Sequence, residues 1–182
     1  MIIVGGGIVG ASFAYHAHLM GVSEITQITG TLSTNKSQAT SNTWGWVNGY
    51  ASNDKKYAAF RLANLKYWSK LIDDIEYLTN SSKGAFFWDM DKDELSETIA
   101  QHQSWGHSVS DVIKLRLEEY LPNLHNRPEI AGFGKNDLAI EGSKAADILI
   151  KASGSKIKKS NVNKLILKEN KVIGVETDEG II

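Results

Sequence analysis

The chain opens Ile2-Ile3-Val4-Gly5-Gly6-Gly7-Ile8-Val9-Gly10, a short apolar run that flows into Gly5-x-Gly7-x-x-Gly10 and then into Ala11-Ser12-Phe13-Ala14. Strand, tight turn and helix, in that order, form the context in which glycines at this spacing bind a dinucleotide. Gly5 permits the turn, Gly7 lets backbone approach a pyrophosphate, and Gly10 lets the helix lie close on the strand. The first N–H groups of a helix lack internal partners, so the segment Gly5, Gly7, Ile8, Val9 and Gly10 is the candidate phosphate contact. The expected fold class is α/β, built on a Rossmann-like parallel sheet.

The helix should run from Ile8 to Met20, with Gly21 at its C′ position. A second strand follows at Glu24-Ile25-Thr26-Gln27-Ile28-Thr29. The fingerprint expects an acid at the end of this strand, roughly 20 residues beyond the glycines, to hold ribose hydroxyls. Thr29 stands there, followed by Gly30, while Glu24 lies at the wrong end. A threonine hydroxyl makes one neutral hydrogen bond where a carboxylate accepts two stronger ones. No arginine follows the strand, which argues against a 2′-phosphate and so against NADP.

Composition removes several classes of function. The 182 residues carry a formal net charge of −1, with 42% hydrophobic and 23% charged residues. Nothing in that balance calls for nucleic acid or an anionic membrane. There is no cysteine, hence no disulfide and no thiolate chemistry. No apolar stretch reaches the roughly 18 residues of a bilayer span. No basic region precedes the first apolar run, so a secretory signal is not expected and a cytoplasmic location is.

Between Gly30 and Gly49 the chain is rich in small polar residues until Trp44, and includes Gln38-Ala39-Thr40-Ser41-Asn42-Thr43-Trp44-Gly45-Trp46-Val47-Asn48. An NAD-type Rossmann unit enters its next helix sooner. Later come Leu121-Pro122-Asn123-Leu124, a strand start at Gly154-Ser155-Lys156-Ile157, then Asn161-Val162-Asn163-Lys164-Leu165, then the hairpin Val172-Ile173-Gly174-Val175-Glu176-Thr177-Asp178-Glu179-Gly180. Together with the glycine fingerprint, these segments resemble the FAD-dependent oxidoreductases of the D-amino-acid oxidase, glycine oxidase and sarcosine oxidase superfamily. The hairpin matches a V-x-GV-x-T-x-x-G pattern. Leu121 stands where the family's "EPNL"-type element often has its acid.

The resemblance implies FAD as cofactor, with Ala39 and Thr40 beside the phosphates, Trp44, Gly45 and Trp46 near the isoalloxazine, and the backbone at Val162 against adenine. It implies an FAD-binding domain in two segments, 1–83 and 141–182, carrying an inserted, partial α+β substrate domain at 84–140. It also implies hydride transfer from a small amine or amino acid to flavin. The family's carboxylate-binding arginine and ring-facing tyrosine come from a later half, so no catalytic residue is assigned. Arg61, Arg116 and Arg127 are the only arginines, and none occupies a recognisable clamp position. The resembling enzymes are longer, so the isolated chain is expected to be inactive and to need a complementary C-terminal half or a homo-oligomer. Two alternatives remain: an NAD-dependent Rossmann dehydrogenase, and a non-catalytic remnant or subunit of a split flavoprotein.

Elsewhere, Asp54 to Leu78 reads as one amphipathic helix, with Ala58, Leu62, Leu65, Trp68, Ile72 and Ile75 at steps of three and four. Gly84-Ala85-Phe86-Phe87-Trp88 reads as a strand, and Asp91–His102 and Val109–Tyr120 as helices. A helix near 143–152 and strands near 156–158, 162–167 and 172–177 should complete the chain. Asp89-x-Asp91-x-Asp93 superficially suggests a calcium loop, but the glycine and glutamate such a loop needs are replaced by Glu94 and Ala100. Acidic charge at a helix start accounts for it. The five histidines have no metal-ligand spacing, and no metal is expected. Lys156, Lys158 and Lys159 fit a solvated strand edge.

Overall fold

A computed structural model describes residues 1–30, 38–50, 54–82 and 84–182. From the N-terminus come β1 (Ile2–Val4), α1 (Ile8–Leu19), β2 (Thr26–Ile28), α2 (Ala39–Asn42) and β3 (Trp46–Val47). Next are α3 (Lys55–Asp74), β4 (Ala85–Phe87), α4 (Lys92–Ser104), β5 (Val109–Ile113) and α5 (Lys114–Tyr120). The chain closes with β6 (Ile130–Gly134), β7 (Leu138–Ala139), α6 (Gly142–Ala152), β8 (Lys156–Lys158), β9 (Val162–Lys168), β10 (Lys171–Thr177) and β11 (Gly180–Ile181). The fold is mixed α/β with a parallel sheet, and no described helix is long and apolar enough to cross a membrane.

Two compact units divide the chain: Met1–Trp44 with Glu141–Ile182, and Gly45–Ile140. Residue 83, where the sequence reading ends the first FAD-binding segment, lies outside the described residues.

In the first unit β1, β2 and β8 form a parallel sheet in that order, with Ile2 opposite Thr26 and Thr26 opposite Lys156. Parallel strands need a crossover, and α1 supplies the one between β1 and β2. Helix α1 packs on α6 through small and apolar residues, Ala11, Ala14 and Tyr15 against Ala145, Ala146, Leu149 and Ile150. It ends at Leu19, one residue short of the expected Met20, and Gly21 then takes a φ of +88°. The strands β9, β10 and β11 form an antiparallel meander. Its first turn has positive φ at both Glu169 and Asn170, the geometry that follows the twist of a tight hairpin.

In the second unit β4 and β5 flank β6 in an antiparallel sheet, and β3 pairs with β7. Tyr50, Phe87, Leu95, Ile99 and Val109 form its core, with Trp46, Met90 and Ile130 packed against them. Helix α4 contributes Leu95, Ile99 and His102, spaced to fall on one face. Burying an aliphatic side chain of that kind is worth about 1.5–3 kcal/mol. Asp91 starts α4, its Oδ1 accepting from the N–H groups of Asp93 at 3.0 Å and Glu94 at 2.9 Å. Asp54 starts α3 in the same way, through Lys56 and Tyr57. The apparent calcium loop thus dissolves into a helix cap at Asp91 and an acceptor at Asp89 for the Tyr50 hydroxyl.

Two expected elements are corrected, the first being the helix read as reaching Leu78, which ends at Asp74. Val109–Tyr120 is not a single helix: Val109–Ile113 is a strand along β6, from Val109 opposite Gly134 to Ile113 opposite Ile130, and helix begins only at Lys114. Pairing with a strand further along the chain outweighs local periodicity here.

Candidate nucleotide site

The first unit places the glycine segment at the end of β1, where it turns into α1. Gly5 has a φ of +111°, and its N–H donates to the Ile28 carbonyl at 2.8 Å. That φ suits glycine and strains any other residue. A methyl group on Gly10 would collide with the Gly5 carbonyl oxygen, so the missing side chain lets α1 settle onto the turn. The α1 N-terminus has no acidic residue in its first turn and no side-chain cap at Gly7. A helix start with that character favours an anion.

Gly7 lies beside Thr40. A Cβ there would stand 2.8 Å from Thr40 Oγ1. The Thr40 hydroxyl accepts the Ile8 N–H at 3.0 Å, and its own O–H is available to donate onward. Thr40 is buried within α2, and Ala39, also expected at the phosphates, opens that helix on its exposed side. Helix α2 lies against α6, where a Cβ on Gly142 would stand 2.9 Å from the Thr40 carbonyl oxygen. Within the stretch read as a loop, Ala39–Asn42 is a short helix that brings a hydroxyl to the glycine turn.

Thr29 follows β2 and is buried, its side chain against Gly6, where a Cβ would lie 3.0 Å from both Cγ2 and Oγ1. Its N–H donates to the Lys158 carbonyl at 3.0 Å, and Ser160 donates its N–H to the Thr29 carbonyl at 3.2 Å. Gly30 is exposed and lies directly against the Asn161 side-chain oxygen. Val162 opens β9 opposite Thr177 and is half-buried. Val9 projects into solvent and Ile8 is half-buried. Trp44, the last residue of this unit's first segment, is 85% exposed.

Gly45 and Trp46 belong to the second unit. Gly45 has a φ of +64° and lies tight against the Ile140 carbonyl. Trp46 stacks on Tyr50 with ring centroids 5.9 Å apart, and Tyr50 stacks on Phe87 at 3.9 Å. The Tyr50 hydroxyl donates to Asp89 at 2.6 Å. Burial, then that carboxylate, raises the Tyr50 phenol well above its ordinary value of 10.0. Arg61 donates to the Asn48 carbonyl and side-chain oxygens, so it serves the Gly45–Tyr50 segment.

Sequence reasoning passed over Gln27. It is fully buried in the middle of β2, and its Nε2 donates to the Gly5 carbonyl at 2.8 Å. The Ser155 hydroxyl stands 3.5 Å from its Oε1. The signal was there, since an amide among β-branched residues in a buried parallel strand needs a partner.

The family model described as DAO, FAD dependent oxidoreductase, matches residues 1–182. A glycine oxidase structure from Bacillus cereus ATCC 14579 aligns with 100% of this chain and 53% of its own, at 20% identity and a TM-score of 0.76. L-proline dehydrogenase from P. horikoshii aligns with 100% of this chain and 49% of its own, at 22% identity and a TM-score of 0.82. L-amino acid deaminase from Proteus vulgaris aligns with 99% and 44%, at 15% identity and a TM-score of 0.83. No curated protein matches the sequence. The chain spans about half the length of these neighbours. A family model that runs from the first residue to the last, over a glycine turn built as described, makes this chain a member of the DAO family of FAD-dependent oxidoreductases.

Proposed function

We propose that the chain binds FAD, with the diphosphate at the Gly5–Gly10 turn, and serves an enzyme that oxidises a small amine or amino acid. The observation that carries this reading is the α1 N-terminus behind a glycine turn, a helix start with no acidic residue in its first turn and the Thr40 hydroxyl beside it. The N–H groups of Val9 and Gly10, and the Thr40 hydroxyl that the Ile8 N–H holds in place, are the proposed phosphate contacts. Thr29 and Gly30 are assigned to the ribose side and the backbone at Val162 to adenine. Trp44, Gly45 and Trp46 are assigned to the flavin ring on the family pattern. Bound there, FAD would supply the hydride acceptor for oxidation of an amine. What this chain's residues supply is binding and orientation. Residues 1–83 and 141–182 as FAD-binding domain, with 84–140 as part of a substrate domain, belong to the same proposal. So do a complementary half-chain or second copy as partner and a cytoplasmic location.

The test is direct. Acid extraction of the purified chain identifies any flavin released, and titration with FAD and with NAD measures affinity. FAD binding that a folded Gly7→Leu variant loses supports the assignment, because the larger side chain displaces Thr40 and fills the turn. Equal FAD affinity in that variant, or preference for NAD, overturns it.

A further inference from the structure

We propose that Asp137 and His107 are positioning residues that hold the Trp46 indole, and with it the Gly45–Tyr50 segment, in one orientation; the purpose of this rests on the ring-facing role assigned to Trp46 above. Asp137 directly precedes β7, whose partner strand carries Trp46. Its Oδ2 accepts the Trp46 Nε1–H at 3.1 Å, and its Oδ1 accepts the His107 Nε2–H at 3.1 Å. Nδ1 of His107 is buried without a hydrogen-bond partner among the described residues, so the proton that serves the pair sits on Nε2.

The side chains of His107 and Asp137 are 1% and 0% exposed. A carboxylate removed from water is costly unless its lone pairs are used, and an apolar side chain of similar volume fills such a space at less cost. The surrounding chain accommodates the pair at two glycines. A Cβ on Gly134 would stand 2.6 Å from Asp137 Oδ2, and one on Gly49 would stand 2.9 Å from the His107 ring. The imidazole therefore underlies the segment at Gly49 while the carboxylate grips it at Trp46. An indole fixed at its N–H and stacked on Tyr50 keeps its plane, which is what a flat apolar wall beside a cofactor ring requires.

Variants of this chain test this. In Asp137→Leu the acceptor is gone, and hydrogen exchange at the Trp46 indole N–H, identified by its loss in Trp46→Phe, is expected to quicken roughly tenfold or more. The fluorescence of added FAD, quenched by a neighbouring indole in wild type, is expected to recover in part. Asp137→Asn keeps an acceptor and is expected to restore much of both signals. In a Trp46→Phe background, Asp137→Leu is expected to leave the flavin signal unchanged, because the coupling runs through the indole. Wild-type indole protection in a folded Asp137→Leu variant overturns the proposal, as does an undiminished flavin response in the Trp46→Phe background. If Asp137→Leu does not fold, His107→Leu gives the same readouts. If wild type binds no FAD, the reading of function fails, and the cofactor-free indole exchange still decides whether the carboxylate holds Trp46.

Discussion

Each glycine of the turn answers to a separate constraint, and substitutions should separate them. Gly5→Ala meets nothing within 4 Å, so its cost is conformational, from a φ of +111°. Gly10→Ala meets the Gly5 carbonyl and must lift α1. Overpacking of that kind costs about 1–3 kcal/mol, and thermal unfolding should show Gly10→Ala losing stability and FAD affinity together. Thr29→Glu is expected to tighten FAD by about 1–2 kcal/mol through a charge-assisted bond to ribose. Calorimetry showing weaker binding instead would mean that the packing of Thr29 on Gly6 leaves a carboxylate no room. At Tyr50 the folded pKa lies above the unfolded value of 10.0, so the folded state keeps its proton while the unfolded chain loses it. Stability is then full below that value and declines as pH rises beyond it. Urea unfolding across that range should show the decline in wild type and a flatter response in Tyr50→Phe. The glycine spacing was legible because it is local. The Asp137–His107 pair was not, since its partners lie far apart in sequence and neither has a flanking pattern.

Elements held by their own caps were also legible. Asp91 stands where an N-cap belongs, with Asp93 and Glu94 in the first turn to favour the helix dipole. Asp91→Ala is expected to cost about 1 kcal/mol in denaturant unfolding, and no loss would mean that the Asp93 and Glu94 N–H groups find water equally well. Strand β5 was misread because Val109–Tyr120 holds apolar residues at mixed spacings, and what decides it is β6, whose register no local window contains. Helix α3 has an amphipathic pattern that tells which side is buried, not which unit it joins. The parallel core of β1, β2 and α1 was read correctly because turn, helix and strand follow one another directly.

At the scale of the whole molecule, the first unit leaves apolar surface open. Val4 on β1, Val9 and Phe13 on α1, and Leu165, Leu167, Val172 and Ile173 on the meander are each more than half exposed. Among the described residues β1 pairs only with β2. Open strand edges and apolar patches invite association. Sedimentation should show mass rising with concentration, and the double variant Leu167→Lys with Val172→Glu, a cross-strand pair in register, should reduce it without changing FAD affinity. A monomer at every concentration would remove the argument for a partner on this face. The interrupted layout of the first unit has a consequence in time. Strand β8 must find β2 across the whole of Gly45–Ile140. On a ribosome, the segment from Gly45 to Ile140 has emerged in full before β8 exists to close the parallel sheet. The glycine turn must therefore wait, half-built, for the chain's last quarter, and any cofactor arriving early meets a cradle with one side still to be made.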